Sequence, residues 1–298
     1  MTEKQSNLIV RTVTGVLFVA VMVTGMAFRP EALILLFALI TGLTTWEYCG
    51  IVNQREDISV NRFITTAAAV YLNLAFAGYC SGVTPPAVFI PYLLTIVYLL
   101  VAELYLKQPN PVNDWAYTML SQLYIALPLS MIYALAFIAS PDGATRFESL
   151  IPLSVFVFLW VNDTGAYCAG SLLGRHKLFP RVSPGKTWEG SVGGGLFVLI
   201  AAALVGHFAN QGDTPHMLGI PQWMGLGLVV TVFGTWGDLV ESLLKRTWGI
   251  KDSGKLLPGH GGMLDRFDSS LLAIPAAVIY LYTLSSVSYT HLTLPTIR

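Results

Sequence analysis

Nine runs of about twenty mostly apolar residues divide this chain, and a bilayer-length repeat of that kind constrains a fold more than any other feature of the sequence. The runs lie near residues 8–28, 31–51, 63–83, 86–106, 115–138, 150–173, 189–210, 219–241 and 269–290. A helix rises about 1.5 Å per residue, so each run matches a hydrocarbon core roughly 30 Å thick. Strands of a membrane barrel alternate apolar and polar residues, whereas "ALILLFALI" and "LFVLIAAALVG" are continuously apolar. The expected fold is therefore an all-α integral membrane protein, a polytopic bundle of about nine transmembrane helices. A hydrophobic content of 54% fits that class and exceeds the roughly 45–50% of an ordinary soluble domain. The first run lacks a small-residue cleavage site before a soluble domain and is expected to be a retained helix rather than a removable signal peptide. Cys49, Cys80 and Cys168 have no CxxC spacing, which argues against a disulfide framework or a thiolate zinc site.

Net charge is zero, but its distribution orients the chain. With the N-terminus in the cytoplasm, fourteen of the seventeen basic residues fall at or near the inside, and only Arg29, Arg146 and Arg298 fall outside. Residues 1–150 read as N-terminal transmembrane helices whose charges sit in short loops and at helix ends, as solvated or snorkelling side chains. Residues 151–290 read as a catalytic transmembrane region with cytoplasmic loops. The polar, threonine-rich segment "VSYTHLTLPTIR", residues 287–298, breaks the pattern and admits two readings, native sequence or a cloning or reading-frame scar.

Three clusters in the second half carry chemistry. In "WVNDTGAYCAGSLLGR", Asp163 lies well inside an apolar run, with Tyr167, Gly170 and Gly174 on about the same helical face. A carboxylate at that depth faces a cavity, a partner or an ion, or else bonds a neighbouring helix that the glycines let approach. In "RHKLFPRVSPGKTWEG", Arg175, Lys177, Arg181 and Lys186 surround a Ser-Pro-Gly turn. Its GKT is not a P-loop, because Pro180 stands where a glycine belongs and no strand is expected before it. Backbone N–H groups at Ser183, together with Lys186 and Thr187 just before a helix starting near Glu189, still suit phosphate oxygens. The alternative is a positive-inside anchor.

The third cluster runs through "GDLVESLLKR" into "KDSGKLLPGHGGMLDRFD". If one helix continues, Asp238, Glu241, Ser242 and Lys245 share a face, and Asp265 and Asp268 stand three apart at the start of the last span. Carboxylates from two helices suit Mg²⁺, which takes few protein ligands and shares the rest with water and substrate phosphate. Capping or ion pairing is the alternative for each pair taken alone. His260 has no zinc-ligand spacing around it and is expected to hydrogen-bond phosphate or to order the glycine turn. Basic loops and a divalent cation at one mouth of a helical bundle imply phosphoryl or nucleotidyl transfer between a nucleotide and a membrane lipid, with no nucleic-acid partner. An ion-coupled transporter also needs buried acids, but here the charges gather at one face rather than along a midplane path, and there is no inverted repeat.

The stretch "SLLKRTWGIKDSGKLLPGHGGMLDRFD" resembles the signature of the phosphatidate cytidylyltransferase (CDP-diacylglycerol synthase) family. Its fixed positions are met by Ser242, Lys245, Arg246, Lys251, Asp252, Gly254, Leu257, Pro258, His260, Gly261, Gly262, Asp265 and Arg266, and "NDTGAY", "SPGKTWEG" and "GD" extend the likeness over about residues 155 to 275. The resemblance implies the reaction of CTP with phosphatidate to give CDP-diacylglycerol and pyrophosphate, with Mg²⁺, in the cell membrane, a bacterial inner membrane, with the active site cytoplasmic. Asp238 and Asp265 are then expected to hold the metal, with Asp163, Glu241, Asp252 and Asp268 as further metal or nucleotide ligands. Lys186, Lys245, Arg246, Lys251 and Arg266 would share the phosphates of both substrates. Tyr167, Ser183, Thr187, Glu189, Ser242 and His260 complete the expected substrate contacts. A CTP-dependent lipid kinase is the alternative enzyme, distinguished by release of CDP. A homodimer is an expectation drawn from the family alone.

Overall fold

The structure, a computed structural model, describes residues 3–139, 144–211, 218–254, 256, 259 and 261–293, and side chains within residues 10–284. In chain order the helices begin with α1 (Glu3–Ala27), α2 (Pro30–Val52), α3 (Arg62–Cys80), α4 (Ile90–Leu106, entered through a 3₁₀ turn at Pro86–Phe89) and α5 (Pro111–Ser121). A π turn at Gln122–Ala126 leads to α6 (Leu127–Ser130) and α7 (Ile132–Ala136). A short hairpin follows, β1 (Phe137–Ala139) with β2 (Thr145–Phe147), and then α8 (Leu150–Leu173). A second hairpin, β3 (Lys177–Phe179) with β4 (Ser183–Thr187), precedes α9 (Trp188–Ala209) and α10 (Ile220–Thr247). The chain closes with α11 (Leu264–Phe267) and α12 (Ser270–Thr293). Nine helical stretches among the described residues are long and apolar enough to cross a membrane, each overlapping one of the nine expected runs.

By packing, the chain divides into two units that do not follow chain order. Residues 1–153 associate with 240–271, and residues 154–239 with 272–298. In the first unit α2 and α3 pack along each other, with Leu33, Phe37, Ile40 and Leu72 buried. Polar side chains tie α2, α3 and α7 together: Asn73 donates to Thr41 Oγ1 at 3.1 Å, and the Tyr133 hydroxyl donates to Asn73 Oδ1 at 2.7 Å. Pro128 has no N–H and its ring crowds the preceding turn, and the π turn lies immediately upstream of it. In the loop after α2, a hydrogen bond from the Arg55 guanidinium holds the Asp57 carboxyl below its usual range.

The second unit depends on small residues. A Cβ on Gly193 would stand 2.2 Å from Ala169 Cβ, and one on Gly194 would stand 2.5 Å from Asn162 Oδ1, so α8 and α9 cross closely only because these positions lack side chains. On α10, Trp223 is buried over Gly206 of α9, and Tyr280 of α12 donates to the Gln222 carbonyl at 3.0 Å.

Two local expectations are corrected. Ser183, Pro184 and Gly185 do not form the expected turn: the turn lies at residues 180–182, closed by the Val182 N–H to Phe179 O at 3.2 Å, while Ser183–Thr187 is extended and pairs with β3. A strand therefore does precede GKT, but in an antiparallel hairpin with GKT inside its second strand, unlike a P-loop. α12 continues to Thr293, through much of the polar tail, and residues 294–298 lie outside the described residues.

Candidate active site

In the second unit, a cavity of about 450 Å³ opens beside the α8–α9 crossing, lined by Asn162, Asp163 and Tyr167 from α8, Lys186 and Thr187 from β4, and Thr235 from α10, among others. Asp163 and Tyr167 are exposed to it, as a carboxylate set in an apolar run requires. The Lys186 ammonium forms an ion pair with the Asp238 carboxylate. Thr187 caps α9, its Oγ1 accepting the Gly190 N–H at 3.1 Å, and is itself buried. Glu189 accepts the backbone N–H groups of Arg175 and His176 at 3.1 Å and meets His176 Nδ1 at 2.5 Å, which ties the start of α9 to the segment between α8 and β3. Ser183 is half-buried on β4.

In the first unit, the last turns of α10 carry Glu241 and Lys245, which a spacing of four places on one face. Glu241 is 0% exposed, and its Oε2 lies 2.7 Å from Lys245 Nζ. Lys245 also donates to Asp265 Oδ1 at 2.7 Å. The other oxygen of Asp265 accepts the N–H groups of Ser253 at 2.9 Å and Gly262 at 2.8 Å, so this carboxylate draws Ser253 and Gly262 together. Gly261 has φ +83°, a left-handed conformation that glycine adopts without strain, and a Cβ there would strike Asp265 Oδ2.

Glu241 and Asp268 bring carboxylate oxygens within 4.8 Å of one another, and Asp238 precedes Glu241 by one turn of α10. Glu241 Oε1 is buried and has no hydrogen-bond partner among the described residues. A buried carboxylate oxygen without a donor is unfavourable unless a cation meets it, so these residues fit a hard divalent ion. Arg246, Lys251, Asp252 and Arg266 are exposed around this end of the first unit, and Ser242 is half-buried. His260 lies outside the described residues.

Glu47, on α2, is not one of the solvated charges expected of the N-terminal half. Its carboxylate accepts the Ser253 hydroxyl at 2.5 Å and the N–H groups of Met263 at 3.0 Å and Leu264 at 3.1 Å. Asp114 is corrected in the same way: it is buried, and its Oδ1 accepts the Ser59 N–H at 2.6 Å. The signal that singled out Asp163, a charge within an apolar run, was present at Glu47 in "LTTWEYCGIV".

Comparison with known proteins matches residues 9–284 to the model of the cytidylyltransferase family. The chain is 31% identical over 274 residues to the phosphatidate cytidylyltransferase of Staphylococcus aureus strain COL, covering 91% of this chain and 98% of that protein. It is 32% identical to the enzyme of the same name from Staphylococcus haemolyticus and 31% to that of Staphylococcus epidermidis, with the same coverage.

Proposed function

The chain belongs to the cytidylyltransferase family, and from that premise we propose that it transfers the cytidylyl group of CTP to phosphatidate, giving CDP-diacylglycerol and pyrophosphate for phospholipid synthesis. The observation that carries this reading is the likeness, along almost the whole chain, to proteins named for the reaction. The protein sits in the cell membrane, with its N-terminus and active site on the cytoplasmic side; the basic residues gathered in the loops assigned to that side support this orientation.

A phosphate monoester is already ionised at pH 7, so the lipid phosphate needs no general base. One of its oxygens attacks the α-phosphorus of CTP, the bond from that phosphorus to the β-bridging oxygen breaks, and pyrophosphate leaves with the bonding electrons. Lys186, Lys245, Arg246, Lys251 and Arg266 share the phosphate charges, the arginines through paired donors and the lysines as point charges. Asp163, Tyr167 and Thr187 contact substrate from the cavity, and Ser183, Glu189, Ser242 and His260 are assigned to the same task. Asp238, Glu241, Asp265 and Asp268 would hold Mg²⁺, with Asp252 at the rim; the orphaned Glu241 oxygen supports this choice. Bound there, Mg²⁺ would supply positive charge against the phosphates of the nucleotide. The contribution of the chain is thus positioning and charge neutralisation.

The test is the fate of CTP labelled on its α-phosphorus, incubated with phosphatidate, Mg²⁺ and purified protein beside an Asp238→Asn variant. Label in lipid with one pyrophosphate per turnover, lost in the variant, is expected. Label left in soluble CDP would replace this reading with a lipid kinase.

A further inference from the structure

We propose that Glu47 is a positioning residue for this reaction: from α2 it closes the loop that ends at Asp265 and so holds the Asp265 carboxylate in place. The inference rests on the proposed function for its consequence in catalysis, but not for the clamp itself.

Glu47 joins the two ends of the loop. At one end is the Ser253 hydroxyl, 206 residues away in sequence, and at the other are the N–H groups of Met263 and Leu264. The same Ser253 oxygen accepts the Asp265 N–H at 3.3 Å, which leaves the hydroxyl proton to Glu47. All three groups that hydrogen-bond the carboxylate among the described residues are therefore donors. An amide of the same size would turn an NH₂ toward at least one of them, so only the charged form satisfies the set. The loop leaves no room for substitutes: a Cβ on Gly262 would lie 2.1 Å from Glu47 Oε1, and one on Gly254 would lie 2.5 Å from Oε2. With the ends of the loop fixed, the N–H groups of Ser253 and Gly262 point at Asp265 Oδ2 and determine where that carboxylate lies. Glu47 thus acts on the reacting phosphates only through Asp265, as an outer partner orients a ligand.

The experiment compares wild type with Glu47→Gln in the full chain, in detergent, by two readouts. Amide hydrogen exchange without divalent cation is expected to accelerate at residues 262–265 by at least about tenfold in the variant, while the amides of α3 keep their rates. The turnover number for CTP and phosphatidate is expected to fall roughly 10- to 100-fold, with the KM for CTP changed far less. Unchanged exchange at residues 262–265, or faster exchange with an unchanged turnover number, would overturn the proposal. Should Glu47→Gln fail to fold, Ser253→Ala removes the same bridge from the loop side, and unaltered exchange at the Asp265 amide would then be decisive against it. Absence of CDP-diacylglycerol from the wild type would overturn the reaction instead, and the exchange readout does not depend on it.

Discussion

Lys245 is the residue on which the acidic end of the first unit is balanced, because it pairs with Glu241 and Asp265 at 2.7 Å each and its side chain is 13% exposed. Replacing it by methionine keeps its bulk but leaves two carboxylates facing each other without a cation, and breaking a buried pair on one side costs about 3–5 kcal/mol. Lys245→Met is therefore expected to lower the melting temperature in detergent plus chelator, and to regain more of that loss than wild type gains when Mg²⁺ is added. A thermal-shift titration checks both parts. Gly262→Ala tests the packing of the same loop: its Cβ would meet Glu47 Oε1 at 2.1 Å and Ser253 Oγ at 2.3 Å. Overpacking of this kind costs about 1–3 kcal/mol, and turnover should drop at least tenfold while expression persists. At this scale the sequence was readable where a charge stood out from apolar neighbours, as at Asp163. It was misread at Glu47, whose partners are backbone N–H groups that no residue identity announces.

Helix α9 carries its own control for element packing. Gly193→Ala would set a methyl 2.2 Å from Ala169 Cβ on α8, whereas Gly195→Ala meets nothing closer than Thr231 Cγ2 at 3.7 Å. The first substitution should reduce the yield of monodisperse protein in fluorescence-detected size exclusion, and the second should leave it unchanged. Element boundaries were legible in the hydropathy where polar residues end a helix, as for α8, expected at 150–173 and observed at Leu150–Leu173. At α10 the apolar run ends near residue 241, while the helix continues to Thr247, as the placing of Asp238, Glu241, Ser242 and Lys245 on one face requires. Apolar character ends where Asp238, Glu241 and Lys245 begin, but backbone hydrogen bonding continues past them. The π turn before Pro128 and the β3–β4 hairpin left no periodic trace, since each is only a few residues long.

For the molecule as a whole, the proposed orientation, a cytoplasmic N-terminus before the nine apolar helices found among the described residues, would put the β1–β2 hairpin outside and the β3–β4 hairpin inside. In a chain whose three native cysteines are replaced by serine, Ala144→Cys should react with a membrane-impermeant maleimide in intact cells, and Lys177→Cys only after permeabilisation. The reverse pattern would invert the orientation and place the acidic loops away from cytosolic CTP. What the sequence determined by itself is the membrane fold, its nine apolar runs and the family to which its signature stretch belongs. Bilayer thickness sets a length that local hydropathy must match, and charge is too costly in lipid to be placed without a reason. The tertiary structure alone decided which of those charges meet. The division into units, with residues 240–271 packed among the N-terminal helices, brings Glu47 to a loop more than 200 residues away. Contacts at that separation depend on how helix faces fit one another, and no window of sequence contains both partners.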